Sequence, residues 1–338
     1  MSLELTDVYV TYSRPGRIPA QVVVAANLRV EPGRIVGLVG ESGSGKSSLA
    51  RAAVGLVRPS HGTVLFEGKA VRTIGGRARP RALLGLQMVF QNPGGSLNPR
   101  RRVASQISDG PRSSRNGRMQ PAEVVDLLRQ LGLPPSAAGK YPHQLSGGQR
   151  QRVAIARALA TSPSILILDE PLASLDASAQ AQLANLLRTI ADSAGVGMLL
   201  ISHDLAVLRH IADEVAVMYL GVIMETGPAA TVWDVPLHPY TEALVRAVPK
   251  ADGKGELPSA LGGEVGDPAD PPRGCRFHPR CPYAHEKCRE QEPPTVEVAD
   301  HRRVACWLHH PGEVPVPPAL RHPDDLGRPI AGSYARVG

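Results

Sequence analysis

The chain has 338 residues, enough for about two domains at ~150 residues each and for a large buried core. Apolar residues make up 42% and charged residues 20%, which excludes wholesale disorder. No apolar run approaches the ~20 residues of a membrane helix, and the N-terminus shows no basic-then-apolar leader. The formal net charge is +7 but is not evenly spread: residues 69–118 carry eleven Arg/Lys against one acid, whereas 251–338 carry eleven against thirteen. A concentrated basic patch suits nucleic acid, an anionic membrane surface or an anionic ligand.

Residues 1–250 alternate short apolar runs with amphipathic stretches, the pattern of an α/β fold. Strands are predicted at Glu4–Thr11, Gln21–Val30, Ile35–Val39, Thr63–Phe66, Leu86–Phe90, Ile165–Leu168, Met198–Ser202 and Glu214–Tyr219. Helices are predicted at Lys46–Val54, Ala122–Leu131, Gly147–Ala160, Ala177–Ala194, Asp204–Ile211 and Thr241–Val248. The stretch 92–145 contains no good strand and reads as a mostly helical insertion. Beyond Lys250 periodicity fades, and fourteen of the 32 prolines and six of the eleven histidines fall in 251–338. A domain boundary is expected near 250, and residues 311–338 read as a Pro-rich tail of low order.

Gly40-Glu-Ser42-Gly43-Ser-Gly45-Lys46-Ser47 fits G-x-x-x-x-G-K-[ST]. Glycines let such a loop wrap a phosphate so that backbone N–H groups point inward, and the helix that follows adds its positive dipole end. Lys46 is placed to reach the β- and γ-phosphates of ATP, and the Ser47 hydroxyl to ligate Mg²⁺. The context agrees, because a strand precedes the loop and a helix follows it. A second segment, Ser164-Ile-Leu-Ile-Leu-Asp169-Glu170, is an apolar strand ending in two acids. Alone, such acids often only cap the next helix. Paired with the loop, Asp169 can hold Mg²⁺ and Glu170 can polarise a water aimed at the γ-phosphate.

Leu145-Ser146-Gly147-Gly148-Gln149, about 20 residues before that acid pair, is the deciding segment. With it the chain resembles the ATP-binding cassette (ABC) family over about residues 1–310. The resemblance implies a P-loop domain with a RecA-like core, an antiparallel β-subdomain and a helical subdomain at about 92–160. It implies that Ser146, Gly148 and Gln149 contact the γ-phosphate bound by the other subunit of a head-to-tail dimer. Gln91 matches the glutamine that touches Mg²⁺ or the attacking water. Asp176, in Ser174-Leu175-Asp176, matches the loop that couples the two nucleotide sites. His203 matches the γ-phosphate histidine, and Tyr12 the aromatic that stacks on adenine. Ser48 stands where the family more often has Thr; either hydroxyl can serve a phosphate oxygen.

Two further segments resemble the oligopeptide/dipeptide import branch: Leu97-Asn98-Pro99-Arg100, and Pro236-Leu-His238-Pro239-Tyr240. By physics alone the second reads only as a turn before a helix. The four cysteines, Cys275, Cys281, Cys288 and Cys306, form a third segment, spaced C-x₅-C-x₆-C-x₁₇-C. Four thiolates in a weakly structured segment (251–310) suggest a metal clip, because so short a stretch lacks a core of its own. The spacing is wider than zinc ribbons prefer and is similar to that of peptide importers with a [4Fe–4S] cluster. Zinc, free thiols or disulfides are the alternatives, and nearby His278, His285, His301, His309 and His310 keep a mixed site open.

The expected whole is thus an α/β ABC ATPase with a small, irregular, cysteine-clipped C-terminal extension. Its expected cofactors are ATP, Mg²⁺ and a [4Fe–4S] cluster. Its expected partners are a second, related ATPase subunit, two transmembrane permease subunits and an extracytoplasmic binding protein, at the cytoplasmic face of the membrane. Peptide cargo is expected, with nickel, glutathione or another small solute as alternatives. A soluble ATPase acting on nucleic acid or ribosomes is the competing class; aromatic residues at 4% leave little for base stacking, and no nucleic-acid partner is expected. Arg100, Arg101 and Arg102 are expected to face permease helices or anionic lipid, with a solvated face as the bland alternative.

Overall fold

The computed structural model describes residues 2–13, 16, 19–75, 79–110, 118–173, 175–248, 262–264, 266–298, 301–310 and 320. The expected boundary near 250 and the Pro-rich tail, apart from Leu320, lie outside these residues. Twelve strands are found among them. They are β1 (Leu3–Tyr12), β2 (Ala20–Val30), β3 (Ile35–Val39), β4 (His61–Phe66), β5 (Lys69–Ala70), β6 (Leu86–Val89), β7 (Ile165–Asp169), β8 (Gly197–Ser202), β9 (Glu214–Tyr219), β10 (Val222–Pro228), β11 (Val296–Val298) and β12 (Arg302–Val304).

They make two sheets. An antiparallel sheet has the order β2-β1-β4-β5, and the main sheet has the order β11-β12-β10-β9-β3-β8-β7-β6. From β9 to β6 the main sheet is parallel, while β10, β12 and β11 run antiparallel to their neighbours. The composition of each strand follows its place. Every residue of β3, β7 and β8 is buried, as a parallel strand covered on both faces requires. β1 instead alternates buried and more exposed positions, as a strand with one apolar face does. Among the described residues of 92–160, helices Val103–Ile107, Pro121–Gln130 and Gly147–Leu159 pack on one another.

Asp213 ties the start of the core together. Its carboxylate accepts the Ile35 N–H at 2.7 Å and hydrogen bonds from Arg188 at 2.8 Å and Arg34 at 3.2 Å. Burial alone would raise its pKa, but the Ile35 N–H and Arg188 outweigh burial and hold the carboxyl below its ordinary value.

The extension is built differently from the expectation of an irregular segment shaped only by a metal. β12 pairs with β10 through Glu225↔Val304 and Thr226↔Arg303, so the hairpin of β11 and β12 continues the main sheet. Beneath this pairing, Arg302 donates to Glu225 at 2.5 Å, with both side chains wholly buried. Glu225 also accepts the N–H groups of Leu237 and His238 at 3.0 and 2.9 Å. Phe277 packs edge-on to Tyr219 and against Tyr240, so the extension shares the core of the cassette. Sequence reading missed β10 because Glu225, Gly227 and Pro228 break its apolar run. The charge that makes Glu225 tolerable there comes from a residue 77 positions away.

Asp213→Asn is expected to destabilise the protein by about 1–3 kcal/mol, read as a lower urea midpoint. Because the folded-state pKa of Asp213 is depressed, its contribution is present above the unfolded value of 3.8 and is lost as pH falls through the folded value. The gap between wild type and variant should therefore close in acid.

Candidate nucleotide site

Four chain segments leave the C-terminal ends of four adjacent parallel strands and meet at one edge. The phosphate loop follows β3, Gln91 follows β6, Asp169 ends β7 with Glu170 just beyond it, and His203 follows β8. Two glycines of the loop are sterically required. A Cβ on Gly40 would lie 2.0 Å from the Met218 carbonyl oxygen. One on Gly45, whose φ is +103°, would lie 2.3 Å from that of Val22. The result is a cradle of backbone with no side chain lining its inner turns at Gly40, Gly43 and Gly45. Ser42 and Gly43 lie exposed at its tip.

Lys46 is buried, and its ammonium donates to the carbonyls of Gly40 and Glu41 at 2.7 and 2.8 Å and to Ser44 Oγ at 3.1 Å. Burial lowers its pKa, and Glu170, Asp169 and Glu41 pull it back up. The Ser47 hydroxyl donates to Asp169 Oδ1 at 2.9 Å. Burial raises the pKa of Asp169 and the Ser47 hydrogen bond lowers it, with a net rise. A hydroxyl and a desolvated carboxylate side by side at the loop mouth are hard oxygen donors that fit Mg²⁺.

Glu170 adopts φ +48°, a left-handed turn that swings its side chain off the strand end. Its carboxylate accepts a hydrogen bond from Gln91 Nε2 at 2.7 Å and lies 3.8 Å from His203 Nδ1. Tyr12, 38% exposed, donates weakly to Ser48 Oγ at 3.4 Å, at the start of the loop helix. The structure thus gathers Tyr12, Lys46, Ser47, Ser48, Gln91, Asp169, Glu170 and His203 around one mouth.

Ser146, Gly148 and Gln149 are not part of that gathering. Ser146 accepts the Gln149 N–H at 3.2 Å and Gln149 Oε1 accepts the Ser146 N–H at 3.1 Å, a capping box at the start of Gly147–Leu159. Gly148 abuts Leu175, where a Cβ would lie 2.7 Å from Cδ2. Asp176 caps the helix Ala177–Ala194 through the Ala179 N–H at 2.9 Å, and Ser174 lies outside the described residues. These residues present a helix N-terminus without closing on the loop of the same chain.

Two profiles match the chain: the ABC transporter family over residues 23–173, and the oligopeptide/dipeptide transporter C-terminal region over 224–288. A probable peptide ABC transporter ATP-binding protein of Sinorhizobium fredii is 45% identical, over 86% of this chain and 83% of its own. The oligopeptide transport ATP-binding protein AppF of Bacillus subtilis is 43% identical, over 86% of this chain and 90% of its own.

The chain belongs to the ABC transporter family.

It is an ATPase subunit of the oligopeptide/dipeptide transporter branch. Among solved structures, a dimeric ABC cassette in a post-hydrolysis state, bound to ADP and phosphate, aligns with a TM-score of 0.59 at 26% identity. The alignment covers 67% of this chain and 98% of that one.

The extension departs from expectation at its cysteines. Cys275, Cys288 and Cys306 are buried, Cys281 is half-buried, and all four are free. Cys275 N–H donates to the Cys288 carbonyl at 2.8 Å, and the thiols oppose one another's ionisation. Burial pushes Cys275 up to about 12 and Cys281 up to about 11, and raises Cys306 as well. Yet among the described residues no group of three or more His, Cys, Asp or Glu side chains is placed to hold a metal ion. The expected closed four-thiolate clip is therefore not found. Sheet pairing, the aromatic core and the buried Arg302–Glu225 pair shape the segment without it.

The basic patch is also partly absorbed. Arg101 pairs with Asp109 at 2.6 Å, and Arg102 donates to the Gly139 carbonyl at 2.6 Å while lying over Tyr141.

Sequence reading passed over three residues at the loop. Glu41 N–H donates to the Tyr240 hydroxyl at 2.9 Å, and the Glu41 carboxylate accepts from Arg280 at 2.7 and 3.1 Å. Tyr240 stood in the quoted Pro-Leu-His-Pro-Tyr motif, and a tyrosine just inside a helix start gave no sign of its target.

Gly45→Ala is expected to weaken ATP binding by about 1–3 kcal/mol of loop strain, while the circular dichroism spectrum stays that of the parent. Titration with a fluorescent ATP analogue checks this.

Proposed function

We propose that this subunit binds ATP·Mg²⁺ at the mouth of Gly40–Ser47 and hydrolyses it in a dimer to power import of di- or oligopeptides. The observation that carries the reading is the joint placement of the Ser47–Asp169 pair and the Gln91–Glu170–His203 group beside one glycine cradle. Ser47 and Asp169 would hold Mg²⁺, which when bound neutralises charge on the β- and γ-phosphates. Lys46 leaves the carbonyls of Gly40 and Glu41 for those phosphates, and backbone N–H groups of the loop supply the remaining donors. Glu170 accepts the proton of the attacking water as its oxygen bonds to the γ-phosphorus and ADP departs. Gln91 orients the Glu170 carboxylate, His203 holds the γ-phosphate, and Tyr12 stacks on the adenine.

The exposed cap at Ser146, Gly148 and Gln149 supports a dimeric site, because a helix N-terminus suits a phosphate and this one does not meet its own loop. In the proposal the second ATPase subunit supplies that cap in trans, and Asp176 couples the two sites. No helix among the described residues is long and apolar enough to cross a membrane. The pore is accordingly assigned to two permease subunits, fed by an extracytoplasmic binding protein, with this chain at the cytoplasmic face. Peptide cargo is proposed from the relatives: a probable peptide transporter in Sinorhizobium, an oligopeptide transporter in Bacillus and a di/tripeptide transporter in Pseudomonas aeruginosa.

Glu170→Gln tests the chemistry. It is expected to keep ATP binding, to lose hydrolysis by about 10²–10⁴-fold, and to accumulate as an ATP-bound dimer on gel filtration. Normal turnover in this variant would refute the assigned role.

For the extension we propose a [4Fe–4S] cluster at Cys275, Cys281, Cys288 and Cys306, with zinc as the alternative. Its support is the C-x₅-C-x₆-C-x₁₇-C spacing. It requires the thiols to lose their protons and to close by side-chain rearrangement. Anaerobically purified protein is expected to absorb near 400 nm (~400 nm is usual for thiolate-bound iron–sulfur groups) and to contain iron and acid-labile sulfide. Colourless protein with four reactive thiols would exclude both metals.

A further inference from the structure

The phosphate loop is not held by its own strand and helix alone. Its second residue, Glu41, is gripped at three points. The Glu41 carbonyl accepts from Lys46 Nζ at 2.8 Å. Its N–H donates to the hydroxyl of Tyr240, a fully buried residue at the start of the helix Pro239–Arg246. Its carboxylate takes both terminal nitrogens of Arg280, at 2.7 and 3.1 Å, in a two-pronged pair. Two of these three grips are remote in sequence: Tyr240 stands just before the C-terminal extension, and Arg280, 239 residues along the chain, belongs to it.

Arg280 is itself fixed. Its side chain is 4% exposed, its Nε donates to the Gly262 carbonyl at 2.9 Å, and its guanidinium reaches the Tyr219 hydroxyl at 3.3 Å. It lies over the rings of Tyr219 and Phe277. A planar, pre-organised fork of this kind loses little freedom in holding a carboxylate.

We propose that Arg280 and Tyr240 are positioning residues for the phosphate loop, and that Arg280 neutralises Glu41 so that the loop can accept a polyanion. A carboxylate in a loop built to wrap phosphates repels its ligand, and the low-dielectric surroundings of a largely buried pair make that repulsion strong. The bidentate Arg280 cancels it, and the Tyr240 hydroxyl fixes the peptide whose carbonyl receives Lys46. Through Arg280 the extension thereby acts on nucleotide affinity from beyond the strand and helix that carry the loop. This inference rests on the reading of the loop as an ATP site.

The test uses the full-length chain in its transporter complex, with equilibrium ATP binding and steady-state ATPase measured together. Saturable ATP binding by the wild-type complex checks the nucleotide reading itself; its absence would sink that reading and this inference with it. Given that binding, Arg280→Ala is expected to raise the ATP dissociation constant and KM about tenfold, with kcat falling less than about threefold. Arg280→Lys should recover part of the loss. Adding Glu41→Gln to Arg280→Ala should restore affinity to within about threefold of wild type, because the uncompensated charge is then gone. Arg246→Ala, which removes an exposed partner of Glu242 in the same region, is the control and should leave affinity unchanged. Where Arg280→Ala folds poorly, Tyr240→Phe keeps the ring packing, removes only the hydroxyl, and should raise the dissociation constant about threefold. Wild-type affinity in both Arg280→Ala and Tyr240→Phe would overturn the proposal. So would an Arg280→Ala defect that Glu41→Gln fails to relieve, since a merely structural role would not respond to that charge.

Discussion

A parallel sheet sends all its strand ends to one edge, and this molecule depends on that constraint. β3, β6, β7 and β8 are neighbours in the main sheet, so whatever follows each of them converges. The loop, the glutamine, the acid pair and the histidine come from four separated stretches of sequence and share nothing locally. Backbone pairing of the strands brings them together at one end of the sheet. β3, β7 and β8 are buried on both faces, so packing from both sides of the sheet holds the backbone from which the site residues project.

Charge burial is the second theme, and for Glu225 and Glu41 the partner is remote. Lys46 is desolvated among carbonyls and three nearby carboxylates. Glu225 is wholly buried against Arg302, with two backbone N–H groups completing its shell. Glu41 is covered by Arg280. An unpaired charge in any of these places would be costly, so each pair makes the arrangement of two distant segments interdependent. Two of the three join the extension to the cassette. The extension is therefore an added edge of the sheet and a brace on the loop, not a separate appendage.

Much of the site was legible in one dimension. The phosphate loop, the Asp169–Glu170 pair and the capped helix at Ser146 are each local devices, in which a turn, a strand end or a helix cap needs particular residues at fixed spacing. Fully apolar strands such as Ile165–Leu168 and amphipathic helices such as Ala177–Ala194 were equally plain, because their periodicity is a local property. β10 was not, since its buried Glu225 looks like a surface residue until Arg302 is in view. The hairpin of β11 and β12 was missed for a related reason: three-residue strands carry no period, and only pairing with β10 makes them strands. The cysteines misled in the other direction. Their spacing suggested that a bound group shapes the extension, whereas sheet hydrogen bonds and an aromatic cluster already do so.

By itself, then, the sequence determined the chemistry on offer: a cradle for phosphates, hard oxygen donors for a divalent cation, a carboxylate for a water, and a cap for an anion. The cradle and the cap depend on contacts within one short stretch, so spacing alone specifies them, whereas Ser47 and Asp169 stand 122 positions apart and meet only through the sheet. The tertiary structure decided which of those groups meet in one chain and what holds them still. It left the Ser146 cap apart from the loop and set Tyr240 and Arg280 against Glu41. Such contacts join residues some two hundred positions apart, and only the folded packing of sheet and extension carries information over that distance.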